Sequence, residues 1–241
     1  MGLYREQGIV LRSYKLGETD RILHILSQGR GKVRAVAKGV RKPGSRFGGR
    51  LEPYGHVDLQ LYEGRSGLDI INQAELITPF HEVRSDWTLS ACGSVMVEAA
   101  DRIAQEHERF PALFLLVLDG LRLLAQHPAQ PAVVLDAFLL RLASVAGYQA
   151  ALDACASCGT PGRHATFHLD LGGLLCDDCA PAGSQPLADG VLDGLHALAS
   201  SDWGVTDELD PRVRRLSGSL VASYLTHHLG RPLTAWDLVP R

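Results

Sequence analysis

The sequence predicts an α+β multidomain protein, in which a small five-stranded antiparallel barrel precedes an α-helical domain carrying a four-cysteine insert. Three observations carry that expectation. Apolar residues recur at strand-like spacing up to about residue 78 and at helical spacing beyond it. Positive charge is gathered in the first part of a chain whose formal net charge is -3. Four of the five cysteines fall within residues 155–179.

The strands come first. GIVLRSY, RILHILS, KVRAVAKG, HVDLQLY and LDIINQAEL alternate apolar and polar residues, and turn-rich pieces such as LGETD, QGRG and EGRSG separate them. Five short strands in so little chain fit the five-stranded oligonucleotide-binding barrel (OB-fold), here assigned to residues 1–78. After Pro79 the period changes. SDWTLSACGSVMVEAADRIAQ, PALFLLVLDGLRLLAQ, PAVVLDAFLLRLASVAGY, DGVLDGLHALAS and DPRVRRLSGSLVASYLTHHLG place apolar residues at helical intervals. Ser85, Asp189 and Asp210 are the expected N-caps, and Pro111 and Pro211 suit first-turn positions. Residues 79–241 are therefore read as the helical domain, with the insert at 153–182.

Composition excludes some classes. In MGLYREQGIV, Arg5 and Glu6 stand where a signal peptide would begin its apolar run. PALFLLVLDGLRLLA is broken by Asp119 and Arg122, too soon for a membrane span of about 20 residues. No membrane association is expected, and clustered cysteine pairs in a chain read as cytoplasmic favour metal over disulfides.

Residues 1–80 hold 13 Lys and Arg against 8 Asp and Glu, while the remainder holds 11 against 19. Such asymmetry points to an N-terminal module that faces a polyanion, or to a merely solvated basic surface. In GKVRAVAKG, alternation puts Val33, Ala35 and Ala37 on one face and Lys32, Arg34, Val36 and Lys38 on the other. Same-face neighbours about 6.6 Å apart approach the phosphate spacing of an extended single strand. The glycine-rich loop beyond adds Arg41, Lys42, Arg46 and Arg50. GVRKPGSR departs from a phosphate-binding NTPase loop, because Ser45 and Arg46 replace its Lys and Ser/Thr. Tyr14, Phe47, Tyr54 and Tyr62 are candidates either for base stacking or for core packing. A second cluster, Arg212, Arg214 and Arg215, opens the last helix; it either extends a nucleic-acid path or faces the acids of the bundle.

The insert reads Cys155-x2-Cys158, 17 residues, then Cys176-x2-Cys179, the spacing of a closed tetrahedral zinc site. Four thiolates leave no open position, so the expected Zn2+ is structural. TFHLDLGGLLC between the knuckles reads as a hairpin about Gly172 and Gly173, with His164 and His168 as loop residues. Cys92 reads as a small core residue. No H-E-x-x-H or G-x-S-x-G pattern and no zinc-deaminase signature accompanies these residues, so the expectation is a protein that is not an enzyme.

The marks GIVLRS, LGETDRIL, GK-x-x-AVAKG-x-RKP-x-SRFGG-x-LEP, NQAEL, the paired CxxC knuckles and HLGRPL together resemble the RecO family of bacterial recombination mediators, over essentially the whole chain. That resemblance implies a cytoplasmic, nucleoid-associated protein of DNA repair. It implies binding of single- and double-stranded DNA, annealing of complementary strands and, with RecR, loading of RecA onto DNA coated by single-strand-binding protein. It further implies an apolar pocket in the helical domain for the acidic tail of single-strand-binding protein, with Arg212, Arg214 and Arg215 as candidate basic contacts. Two rival readings stay open: a zinc-ribbon scaffold that binds an acidic protein through the basic loop, and a nucleic-acid-modifying enzyme.

Overall fold

The fold is taken from a computed structural model, which describes residues 2–64, 67–126, 130–200 and 208–240. β1 (Leu3–Leu16), β2 (Asp20–Ser27), β3 (Gly31–Ala37), β4 (His56–Tyr62) and β5 (Asp69–Thr78) close a barrel in the order β1-β2-β3-β5-β4. All pairings are antiparallel except β3 with β5, which is parallel and short, at Ala35–Asp69 and Val36–Ile70. This is the connectivity of an oligonucleotide-binding barrel. Alternation decides the interior. Val10, Leu23, Ile25, Val33, Ala35, Ala37, Val57, Leu59, Leu61 and Ile71 are all buried in one cluster. β1 bends at an irregularity between Val10 and Arg12, which lets one long strand pair with both β2 and β4.

Three helices follow: α1 (His81–Ser85), α2 (Trp87–Ile103) and α3 (Pro111–Gln126). The α2 N-cap is Asp86, whose carboxylate accepts from the Leu89 N–H at 2.9 Å, rather than the expected Ser85. Ser85 is instead the last residue of α1, a single turn too short to show as periodicity. α4 (Pro131–Val145) leads into the insert, where β6 (Thr166–His168) and β7 (Gly173–Leu175) form the expected hairpin. Among the described residues, α5 (Val191–Ser200) and α6 (Pro211–Leu229) follow, and a 3-10 turn at Trp236–Leu238 ends the described elements. α6 is capped as expected: Asp210 accepts from the Arg212 N–H at 2.7 Å, and Pro211 opens the helix.

The chain forms two compact units. One comprises residues 1–129 and returns for 233–239; the other comprises 130–232 with 240–241. The first thus holds the barrel, α1–α3 and the 3-10 turn. In the second, α5 and α6 approach closely at Gly194, where an added Cβ would lie 2.2 Å from the Ser217 hydroxyl. The Ser217 hydroxyl itself donates to the Val191 carbonyl at 3.3 Å. Among the described residues no helix is long and apolar enough to cross a membrane.

Candidate nucleic-acid interface and metal centre

Loop 38–55 between β3 and β4 closes on itself through successive turns. Lys42 N–H bonds to the Gly39 carbonyl, Ser45 to Lys42, Gly48 to Ser45 and Arg50 to Phe47, at 3.0–3.1 Å. Its apolar residues turn inward: Phe47 and Leu51 join the barrel core, and Tyr54 is buried with its hydroxyl 2.9 Å from that of Ser94. Those burials leave Lys38, Arg41, Lys42, Arg46 and Arg50 on the outside, all exposed, with no acid among residues 38–51. Their positions are further defined by local bonds. Arg41 donates to the Glu18 carbonyl at 2.9 Å, Arg50 to the Arg46 carbonyl at 2.8 Å, and the Arg46 guanidinium lies 4.9 Å from the Phe47 ring centre. Asp20 accepts the Gly39 N–H at 2.7 Å; that bond first, then Thr19, Lys38 and Lys42, holds its carboxyl below the ordinary range.

Lys32 and Arg34 are placed differently. They do lie on the outer face of β3, but residues 101–106 run across that face. Lys32 Nζ donates to the Asp101 carbonyl at 2.7 Å and lies 3.5 Å from its carboxylate, while Arg34 pairs with Glu106 at 2.8 Å. Asp101 also meets Arg12 at 3.1 Å and His24 Nδ1 at 3.0 Å. Burial pushes Asp101 up, but the His24 bond and the charges of Lys32, His24 and Arg12 outweigh it and hold the carboxyl below its usual value.

Of the four aromatic candidates, Phe47 and Tyr54 serve the interior, while Tyr14 and Tyr62 are exposed. Tyr14 rests on His24, ring centres 5.1 Å apart. Arg212 and Arg215 are exposed in the first turn of α6, and Arg214 reaches Gln130 at 3.4 Å; all three belong to the second compact unit.

The four cysteines Cys155, Cys158, Cys176 and Cys179 converge. Their sulfurs all lie within 4.8 Å of one another. A tetrahedron with metal–sulfur bonds of about 2.3 Å has edges of about 3.8 Å; Cys158 and Cys176 are 3.7 Å apart. Each knuckle is closed by its own backbone: Gly159 N–H bonds to the Cys155 carbonyl at 2.9 Å, and Cys179 N–H to that of Cys176 at 3.0 Å. Gly159 has φ +77°, which glycine adopts without strain. The backbone N–H groups of Cys158 and Cys176 push the Cys155 thiol down to about 6, whereas burial pushes the Cys176 thiol up. At Cys179 a Ser157 bond is outweighed by the Cys176 and Cys158 thiols, which push it up. His164 bonds to the Thr160 carbonyl at 2.9 Å, and His168 faces Asp170 at 3.8 Å; neither is part of the sulfur cluster. The hairpin is seated by Phe167 against Tyr224 of α6, edge to face at 5.5 Å.

Sequence reasoning passed over Glu98 and Asp101. Two acids three residues apart, on a helix as apolar as GSVMVEAADRI, were the available signal, since a buried carboxylate requires partners. Glu98 has them: Thr234 N–H at 3.0 Å, Thr234 hydroxyl at 2.9 Å and Ala235 N–H at 2.9 Å, along with Arg102 and, at 3.6 Å, Arg12.

Comparison with known proteins gives a consistent answer. A family model described as recombination protein O N terminal matches residues 1–80, and one described as recombination protein O C terminal matches residues 84–237. The chain is 47% identical over 244 residues to the DNA repair protein RecO of Nocardioides sp., covering 99% of this chain and 100% of that one. It is 46% identical over 244 residues to the DNA repair protein RecO of Frankia casuarinae, with both chains covered completely. These relatives bear the name of a repair protein and not of an enzyme.

Proposed function

The chain belongs to the recombination protein O family of DNA repair proteins, and from that premise we propose that it acts without turnover as a DNA-binding recombination mediator. In this reading the barrel, residues 1–78, engages single- and double-stranded DNA, and the helical domain, 79–241, serves partners. The observation that carries the proposal is loop 38–50, whose five exposed cations are held outward by the burial of Phe47 and Leu51. Cations placed on phosphates neutralise strand–strand repulsion, and because they touch no base edge they leave Watson–Crick faces free to pair. That is the requirement of an annealing protein.

Lys38, Arg41, Lys42, Arg46 and Arg50 form the proposed phosphate contacts. Lys32 and Arg34 support the face through their acidic partners, and Arg212, Arg214 and Arg215 are a secondary anion contact or a contact for the acidic tail of single-strand-binding protein. RecR and single-strand-binding protein are the partners that the family suggests, with RecA as the protein loaded, in the bacterial cytoplasm at the nucleoid. Cys155, Cys158, Cys176 and Cys179 are proposed to hold Zn2+, which would cross-link two knuckles and a hairpin of three-residue strands too small to hold together by burial alone.

The test is binding of a labelled mixed-sequence single strand by anisotropy across a salt series. Each single-strand phosphate contact contributes about 0.7 to the slope of log affinity against log salt. Lys42→Ala/Arg46→Ala should therefore weaken binding and flatten the slope by about 1.4. An unchanged slope would reduce the loop to a solvated surface and favour the scaffold reading.

A further inference from the structure

A groove of about 400 Å³ opens on the first compact unit, between β1, the end of the basic loop, α2 and the segment 233–239. Leu11, Tyr14, Pro53, Val97 and Leu238 give it an apolar wall, and Arg12 and Glu98 add a paired charge of each sign. Three features mark it as more than a crevice. Tyr14 lines it while remaining 43% exposed, so a large ring face stays available at the rim. Ser13, Ser94 and Thr234 line it as well, so hydroxyl-bearing residues stand beside the apolar walls.

The third feature is position. Tyr14 lies three residues before Gly17, about 10 Å along the strand, and the Gly17 carbonyl accepts from Arg41 at 3.4 Å. Across the sheet Tyr14 pairs with Ile22 and Ile22 with Val36, two residues before Lys38. The opposite wall, Pro53, follows Arg50 by three residues. The groove is therefore flanked by both ends of the cationic loop, within one or two nucleotide steps of its charges.

We propose that this groove receives one unpaired base of a single-stranded nucleic acid whose phosphates rest on loop 38–50, with Tyr14 as the stacking surface. The inference rests on the DNA-binding reading above and adds to it a reason for strand preference. A slot that offers a ring face accepts any base, since every base has a π-face, but a base inside a duplex cannot enter it. Single strands would gain a stacking contact that duplexes lack, without sequence readout.

The experiment uses the full chain. A mixed-sequence single strand carrying one 5-iodouracil is irradiated in complex, and the adduct is located by mass spectrometry. Separately, single-strand and duplex affinities are measured at one salt concentration for wild type, Tyr14→Ala, Tyr14→Phe and Lys42→Ala/Arg46→Ala, with thermal melts as the folding control. The expected results are an adduct on Tyr14 or its groove neighbours, and a loss of single-strand affinity in Tyr14→Ala of between about fivefold and a hundredfold. Duplex affinity should hold within about twofold and Tyr14→Phe should retain binding, because stacking needs the ring and not its hydroxyl. No groove adduct in wild type overturns the inference whatever the variants do. Equal losses for single strand and duplex overturn it too, as does a Tyr14→Ala protein of full single-strand affinity, which would leave the groove to a protein side chain. If Lys42→Ala/Arg46→Ala weakens binding in that case, the basic-loop reading survives alone; if neither variant matters, both fall.

Discussion

The carboxylate of Glu98 accepts both the N–H and the hydroxyl of Thr234, at 3.0 and 2.9 Å, while its second oxygen takes the N–H of Ala235 at 2.9 Å. One side chain of α2 thus holds the segment 233–239 in the first compact unit. Glu98→Ala removes every one of these bonds and the ion pair with the largely buried Arg102. Breaking a buried pair from one side costs about 3–5 kcal/mol. Urea denaturation should show a loss of that order, and Glu98→Gln, which keeps an acceptor oxygen, should lose less.

Acid should weaken the same unit. Burial raises Glu98, but the Thr234 and Ala235 N–H groups, the Thr234 hydroxyl and Arg102 outweigh it and hold its carboxyl below the ordinary range; Asp101 is held low by His24, Lys32 and Arg12 against its own burial. A carboxyl whose pKa is depressed on folding contributes stability that is complete above its unfolded value, near pH 4, and is lost as pH falls through the folded value. Stability measured from pH 6 downward should therefore decline from about pH 5. Asp101→Asn should flatten that decline while lowering the plateau.

Lys32 and Lys42 should separate structure from binding. Lys32 is committed to Asp101, so Lys32→Ala should cost about 1–3 kcal/mol of stability and leave the salt slope of DNA binding nearly unchanged. Lys42 is exposed, so Lys42→Ala should do the reverse. Chemical denaturation and a salt titration on both variants decide it.

Phe47 should matter to binding without touching DNA. It is 1% exposed within the barrel core. Phe47→Ala should cost about 3–5 kcal/mol, and it releases the loop whose cations it orients. Hydrogen exchange across 38–50 should rise, and single-strand affinity should fall with every cation still present. Phe47→Leu should keep most of both.

Metal removal should act locally. A strong chelator should release one metal ion per chain and unfold the knuckles and hairpin, read as faster exchange at 153–180, with the barrel strands unaffected. Cys158→Ser should do the same without chelator. Metal analysis of the purified protein identifies the ion; Zn2+ is the expected outcome for a four-thiolate tetrahedral site.

The strands were legible because a barrel wall has one dry face, and Val33, Ala35 and Ala37 announce it two residues at a time. The cysteine spacing was legible because two knuckles can converge only if each turns back within four residues. Illegible was what covers the other face of β3. Period-two alternation says that Lys32 and Arg34 point outward, and it is silent on whether water, DNA or Asp101 and Glu106 meets them there. Ser85 misled for a related reason: as a cap candidate it was sound, but one turn of helix, His81–Ser85, preceded the helix it was expected to cap. Thr234 gave no sign at all, since its role depends on a carboxylate 136 positions away.

That separation also sets an order of events at the ribosome. Glu98 is synthesised 136 residues before Thr234, a delay of roughly 7 to 27 s at 5–20 residues per second. Residues 130–232, the bulk of the second unit, are made in the interval. The barrel strands and their basic loop lie entirely upstream and can close early, while Glu98 waits with its charge in water or on Arg102. The unit that begins folding first is thus completed only after residues 130–232 have been made, and a nascent chain stalled before Leu233 should present an intact barrel on an unlatched α2.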